Sequence, residues 1–119
     1  MSHLPPKAED RKAVPLCTGL LDYFPDALVA VANLSLIGNQ QHNPGEPLHW
    51  AKEKSTDEPD ALMRHLVDRG KRDVDGVLHS TKVAWRALAM LQRELDEEKA
   101  HPITLRPGEL WVTPPRRME

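Results

Sequence analysis

Between residues 60 and 86 the chain carries Asp60, Arg64, His65, Asp68, Asp73, Asp75, His79, Lys82 and Arg86. Carboxylates, imidazoles and cations in one short stretch are the material of a phosphate or metal site. Asp60, Asp68 and Asp75 are hard oxygen ligands suited to Mg²⁺ or Mn²⁺ bridging to phosphate. His65, Asp73 and His79 are the candidates for catalytic proton transfer. The two imidazoles are equally able to contact phosphate when protonated, or to ligate a transition metal with one or two aspartates. His79, Lys82 and Arg86 recur at intervals of three and four, so they form one helical stripe whose cations suit successive phosphates. Without acids facing it, the same stripe would read as a solvated charged surface.

A second group lies in residues 39–55, where Asn43-Pro44-Gly45 and Pro47 forbid a long helix. His42, Asn43, His49 and Trp50 offer neutral donors, acceptors and an indole face, the means by which a loop reads and stacks on a base. Arg64 adds a further cation for the same substrate. The competing reading is a structured connection in which Trp50 plugs the core.

Three helices are expected to position these groups. Pro25 suits a first helical turn, Asp26 favours the positive helix end, and Ala27, Leu28, Val31, Leu34 and Ile37 follow helical spacing until Gly38 stops it. A second helix starts from a cap at Thr56 or Asp57, takes Pro59 in its first turn, and ends near Arg69 before Gly70. Ala61, Leu62, Leu66 and Val67 form its apolar face. The linker 71–76 leads to a third helix over 77–99, with Val77, Ala84, Leu88, Leu91 and Leu95 as core stripe and Trp85 as a packing residue. The fold expected is all-α: a small bundle of three main helices over 23–100, an extended N-terminal arm over 1–22 and a C-terminal extension over 101–119. A short hairpin over 103–112 fits that extension, because Arg106-Pro107-Gly108-Glu109 places proline and glycine in the middle of a turn and Trp111 can cover a bundle end.

A chain of 119 residues makes one domain with a small core, so a homodimer or higher homo-oligomer is expected to complete its apolar contacts. Net charge of −2 argues against a nucleic-acid polymer, which is held through many phosphate contacts, but leaves room for one nucleotide. The single Cys17 excludes an internal disulfide, and neither a leader nor a long apolar run is present, so a cytoplasmic protein without membrane contact is expected. No GxxxxGK[ST], GxGxxG or GxSxG motif occurs, which removes support for P-loop, Rossmann and serine-nucleophile chemistry.

The start FPDAL, the loop HNPG followed by HW, the segment DALMRH and the junction DVDGVLH together resemble a bacteriophage and prophage family, the N-terminal domain of dATP/dGTP diphosphohydrolases. The likeness covers residues 15–92. It implies an all-α fold, distantly similar to MazG-type enzymes, and hydrolysis of purine deoxynucleoside triphosphates to monophosphate and pyrophosphate in the cytoplasm of an infected cell. Enzymes of the MazG type bind magnesium through ExxE and ExxD pairs; the ExxE here is Glu94 with Glu97. Short of turnover, the same residues would serve a protein that sequesters a host signalling nucleotide. With His65 and His79 packed as core residues, they would serve a small helical adaptor.

Overall fold

The computed structural model describes residues 2–54 and 56–101. Among them every regular element is helical: α1 (Ala8–Lys12), α2 (Pro25–His42), α3 (Glu58–Val67) and α4 (His79–Ala100), with a π turn at Cys17–Leu21 and a 3₁₀ turn at Lys52–Lys54. The small all-α bundle expected from the sequence is present, with α4 packed chiefly against α3 and to a lesser extent against α2. No single described helix is long and apolar enough to cross a membrane. The expected hairpin and Trp111 lie outside the described residues.

Pro25 opens α2 as expected, but Gly38 does not close it. The helix runs on for four residues to His42. An interior glycine costs about 1 kcal/mol relative to alanine, too little to end a helix whose other residues are committed. A Cβ built on Gly38 meets no atom within 4 Å. Gly38→Ala is therefore expected to raise stability by about 0.5–1 kcal/mol. Thermal unfolding of the two chains side by side checks this, and a lowered Tm would contradict an open, helical Gly38.

Asp57 stands at the N-cap position of α3, but its side chain makes no cap hydrogen bond and pairs instead with Arg64, 3.2 Å away. Ala61 of α3 and Thr81 and Ala89 of α4 are buried, and these small side chains let the two helices approach closely. That arrangement corrects the expected core stripe. Leu88, Leu91 and Leu95 are 51%, 49% and 42% exposed, because α4 turns Thr81, Trp85 and Ala89 inward and leaves the leucines about a quarter turn away. Val67, expected on the apolar face of α3, is also exposed. Length adds to this at Leu95: the 10 residues of α3 span about 15 Å against about 33 Å for the 22 of α4, so the end of the longer helix beyond Arg93 runs past its partner. On α2, by contrast, Leu28, Val31, Leu34 and Ile37 are half-buried as the spacing requires.

Candidate functional site

The turn between α3 and α4 is built by two glycines and one short bridge. Gly70 and Gly76 adopt φ of 85° and 84°, which side chains with a Cβ resist. Arg72 and Leu78 form an isolated antiparallel bridge across Gly76, the Asp73 N–H donates to the Val77 carbonyl at 2.8 Å, and the His79 N–H donates to the Lys71 carbonyl at 3.0 Å. The chain thus reverses, and His79, the first residue of α4, comes back beside His65 near the end of α3. Their Nδ1 atoms are 2.9 Å apart. In a hydrogen bond of that kind one nitrogen donates and the other accepts, so at least one Nδ1 carries no proton. Asp73 joins them, and one ligand atom from each of His65, Asp73 and His79 lies within 4.8 Å of the others.

Lys82, one turn into α4, ties this group to the next acid. Its Nζ donates to Asp73 Oδ2 and Asp75 Oδ2, each at 2.8 Å, and its side chain is only 15% exposed. Burial works against the Lys82 charge, but the hydrogen bonds to the two aspartates outweigh it and raise its pKa. The same bond holds the Asp75 carboxyl down at about 2, helped by the Val77 N–H at 3.0 Å and the Gln41 side chain at 3.4 Å. Asp73 is lowered as well, by Lys82 first and then by the Val74 N–H. Gln41 belongs to α2, so this network joins α2 to α4 through the turn.

Burial, then the nearby Lys82 and His79, lowers the pKa of His65 below its ordinary value of 6.5. An unfolded chain takes up this proton more readily than the folded one, so the stability His65 confers is complete above pH 6.5 and is lost as pH falls through the depressed folded value. Without added metal ions, Tm is expected to drop between pH 7 and pH 5, and His65→Gln is expected to flatten that slope. An equal slope in the variant would place the proton elsewhere.

Above the turn lies a cleft of about 760 Å³ whose lining includes Ser35, His42, Asn43, His49, Trp50, His65, Asp75, Lys82, Trp85 and Arg86. That volume falls within the range usual for sites of small organic ligands. One wall is the loop after α2, and buried Asn39 folds it back. The Asn39 amide donates to the Glu46 carbonyl at 3.0 Å, while its oxygen accepts from Asn43 Nδ2 at 3.2 Å and from the His49 N–H at 3.4 Å. Trp50 and Trp85 meet edge to face with ring centres 5.3 Å apart, and Trp85 Nε1 donates to Ser35 Oγ at 2.9 Å. Cations stand over both indoles: Lys52 is 5.2 Å from the Trp50 ring centre and Arg86 is 5.9 Å from that of Trp85.

A family model described as dATP/dGTP diphosphohydrolase, N-terminal, matches residues 5–102. The chain belongs to this family. The matched span encloses the 15–92 of the sequence resemblance and includes all four helices, the turn and the cleft. Searches of curated proteins and of solved structures find no match.

Against the family frame, the residues picked from sequence divide into three groups. His65, Asp73 and His79 come together at the turn, with His65 also on the cleft wall. His42, Asn43, His49, Trp50, Lys82, Arg86 and Asp75 all line the cleft, Asp75 as a partner of Lys82. Arg64, Asp60 and Asp68 do not line it: Arg64 is exposed and paired with Asp57, Asp60 is exposed in the first turn of α3, and Asp68 is half-buried beyond its end. Among the described residues, none of the three acids expected as metal ligands, Asp60, Asp68 and Asp75, joins a group of three metal-capable side chains. Glu94 and Glu97 are exposed in the distal half of α4. The sequence marks Trp85 as a packing residue, yet it lines the cleft; its i−3 neighbour Lys82 is the signal, since one helical stripe carries both. The sequence places Asn39 and Gln41 in the loop, whereas the structure makes them cleft residues on the last turns of α2.

Proposed function

We propose that the cleft binds a purine deoxynucleoside triphosphate and hydrolyses it to the monophosphate and diphosphate. The observation that carries this reading is the composition of one cleft: indole, amide and imidazole groups from the loop on one side, and His65, Lys82 and Arg86 on the other. Flat aromatic surface with neutral hydrogen-bonding groups suits a purine, and cations suit its phosphates. Family membership supports the same substrate class.

In this reading water attacks the α-phosphorus, the bond to the bridging α–β oxygen breaks, and the electron pair leaves on diphosphate. Lys82 and Arg86 offset the charge that grows on the leaving oxygens. In the ion-free site His65, neutral above its lowered pKa, is the group on the cleft wall able to take the proton from water, with His79 orienting it through their shared hydrogen bond. Where both imidazoles hold an ion, the ion would supply the acidic water and His65 would serve as its ligand. A divalent ion, Mg²⁺ or Mn²⁺, belongs to this reading and when bound supplies further neutralisation of phosphate and a more acidic water. The donors beside that end of the cleft are two imidazoles and one aspartate, a set that suits Mn²⁺ better than Mg²⁺, which prefers oxygen.

A homodimer is part of the proposal. Leu88, Leu91 and Leu95 recur at three and four residues on exposed α4, the spacing of a two-helix seam. Sedimentation equilibrium is expected to give twice the chain mass, and a monomer throughout the concentration range would reject the second copy.

The reaction is tested by chromatography of dATP and dGTP incubated with the chain and Mn²⁺. Monophosphate and diphosphate in equal amounts are expected. Nucleotide-induced thermal shift with no product would replace hydrolysis by sequestration.

A further inference from the structure

We propose that His65, Asp73 and His79 form a three-ligand site for a divalent transition-metal ion, and that Lys82 is the built-in cation which the ion displaces from Asp73. The inference concerns the same cleft as the proposed hydrolysis but does not depend on turnover, since it is read from ion binding alone.

Donor chemistry is the first ground. Two imidazole nitrogens and one carboxylate oxygen within 4.8 Å match the two-histidine, one-carboxylate set that holds borderline divalent ions and leaves other coordination positions open. Cis ligand atoms on such an ion stand about 3 Å apart, given metal–nitrogen bonds of about 2.0–2.1 Å. The 2.9 Å between the two Nδ1 atoms is already near that value. The ion would replace one shared proton.

Preorganisation is the second ground. His79 is fixed by its N–H bond to Lys71, and Asp73 by backbone bonds through its N–H to Val77 and through its carbonyl from Gly76 at 2.9 Å. Asp73 Oδ1 is further held by the Val74 N–H at 2.7 Å. The ligands therefore come from two helices and the rigid turn between them, and little ordering is left for the ion to impose.

Charge is the third. Asp73, Asp75 and one Lys82 ammonium leave a net negative charge in a half-buried site, which favours a cation. Lys82 sits on the acid that the ion needs, so ion and ammonium compete for Asp73. Lys82 also lines the cleft. Once displaced, it is a cation next to bound phosphate rather than the counter-ion of a carboxylate. Ion binding and phosphate binding should then strengthen each other reciprocally.

The test is titration of the untagged chain with Co²⁺ in the absence of nucleotide, followed by visible d–d absorption and by equilibrium dialysis, with Mg²⁺ in large excess. One ion per chain, an absorption band typical of nitrogen and oxygen ligation, and resistance to Mg²⁺ are expected. His79→Ala should weaken binding at least about tenfold and remove the band, with helix content by circular dichroism as control. Lys82→Met should tighten it by about tenfold, because the competitor is gone; Lys82→Gln reads the same competition if the Met variant loses helix content. Absence of a saturable band, or a titration that His79→Ala leaves unchanged, would overturn the site. Unchanged or weaker binding in a folded Lys82 variant would overturn the displacement. Both results are separate from whether dNTP is cleaved.

Discussion

Arg93→Met is expected to lower the stability of the fold by about 2–3 kcal/mol, somewhat less than the about 3–5 kcal/mol usual for breaking a fully buried ion pair, because Arg93 itself is partly exposed. Its partner is Glu58, in the first turn of α3, only 2% exposed. Arg93 Nε approaches Glu58 Oε2 at 3.4 Å, and among the described residues neither atom has a hydrogen-bond partner, so the pair is held by charge. Arg93 Nη2 also donates to the Lys52 carbonyl, fastening the 3₁₀ turn that leads from the cleft loop into α3. Removing the guanidinium strands a carboxylate in a place water hardly reaches. The double variant Glu58→Gln with Arg93→Met should recover part of the loss, since no unpaired charge then remains. Urea unfolding of the three variants checks this. A single Arg93→Met change without effect would mean that Glu58 finds other solvation.

The second large effect is expected at Trp85. Trp85→Ala should cost about 2–4 kcal/mol, since a half-buried indole is removed from between α2, α4 and the loop. The same change takes away the surface against which Trp50 and Arg86 are set, so purine nucleotide affinity should fall as well. Trp85→Phe separates the two contributions. It keeps most of the ring packing and loses the bond to Ser35, at about 1 kcal/mol. Equal stability of the Ala and wild-type chains would remove Trp85 as the tie between the helices; equal nucleotide affinity would move the base-binding wall elsewhere.

Much of this arrangement is legible in the residues, and the gaps have physical causes. Pro25, Pro59 and Gly70 mark helix ends because each acts through its own backbone, without help from distant parts of the chain, whereas Asp57 holds the N-cap position without capping. The turn DVDGVLH announces itself for the same reason, and with it the meeting of His65, Asp73 and His79. Gly38 misleads because a helix tolerates one glycine when the residues after it, Asn39 and Gln41, find partners in the loop and in Asp75. Leu88, Leu91 and Leu95 mislead because periodicity reports an apolar face but not which neighbour covers it. Asp60 and Asp68 resemble Asp73 and Asp75 in type, but where a carboxylate points depends on helix phase and on cations such as Lys82 from another element.

The proposed hydrolysis in this cleft is tested most directly by single-turnover diphosphate release from dGTP by the wild-type chain and by His65→Gln. The wild type is expected to release one diphosphate per monophosphate, and the variant to bind dGTP while its rate falls by about 10²–10⁴, the usual worth of a general base. Full activity in the variant, or no release by the wild type at saturating nucleotide and Mn²⁺, would contradict it.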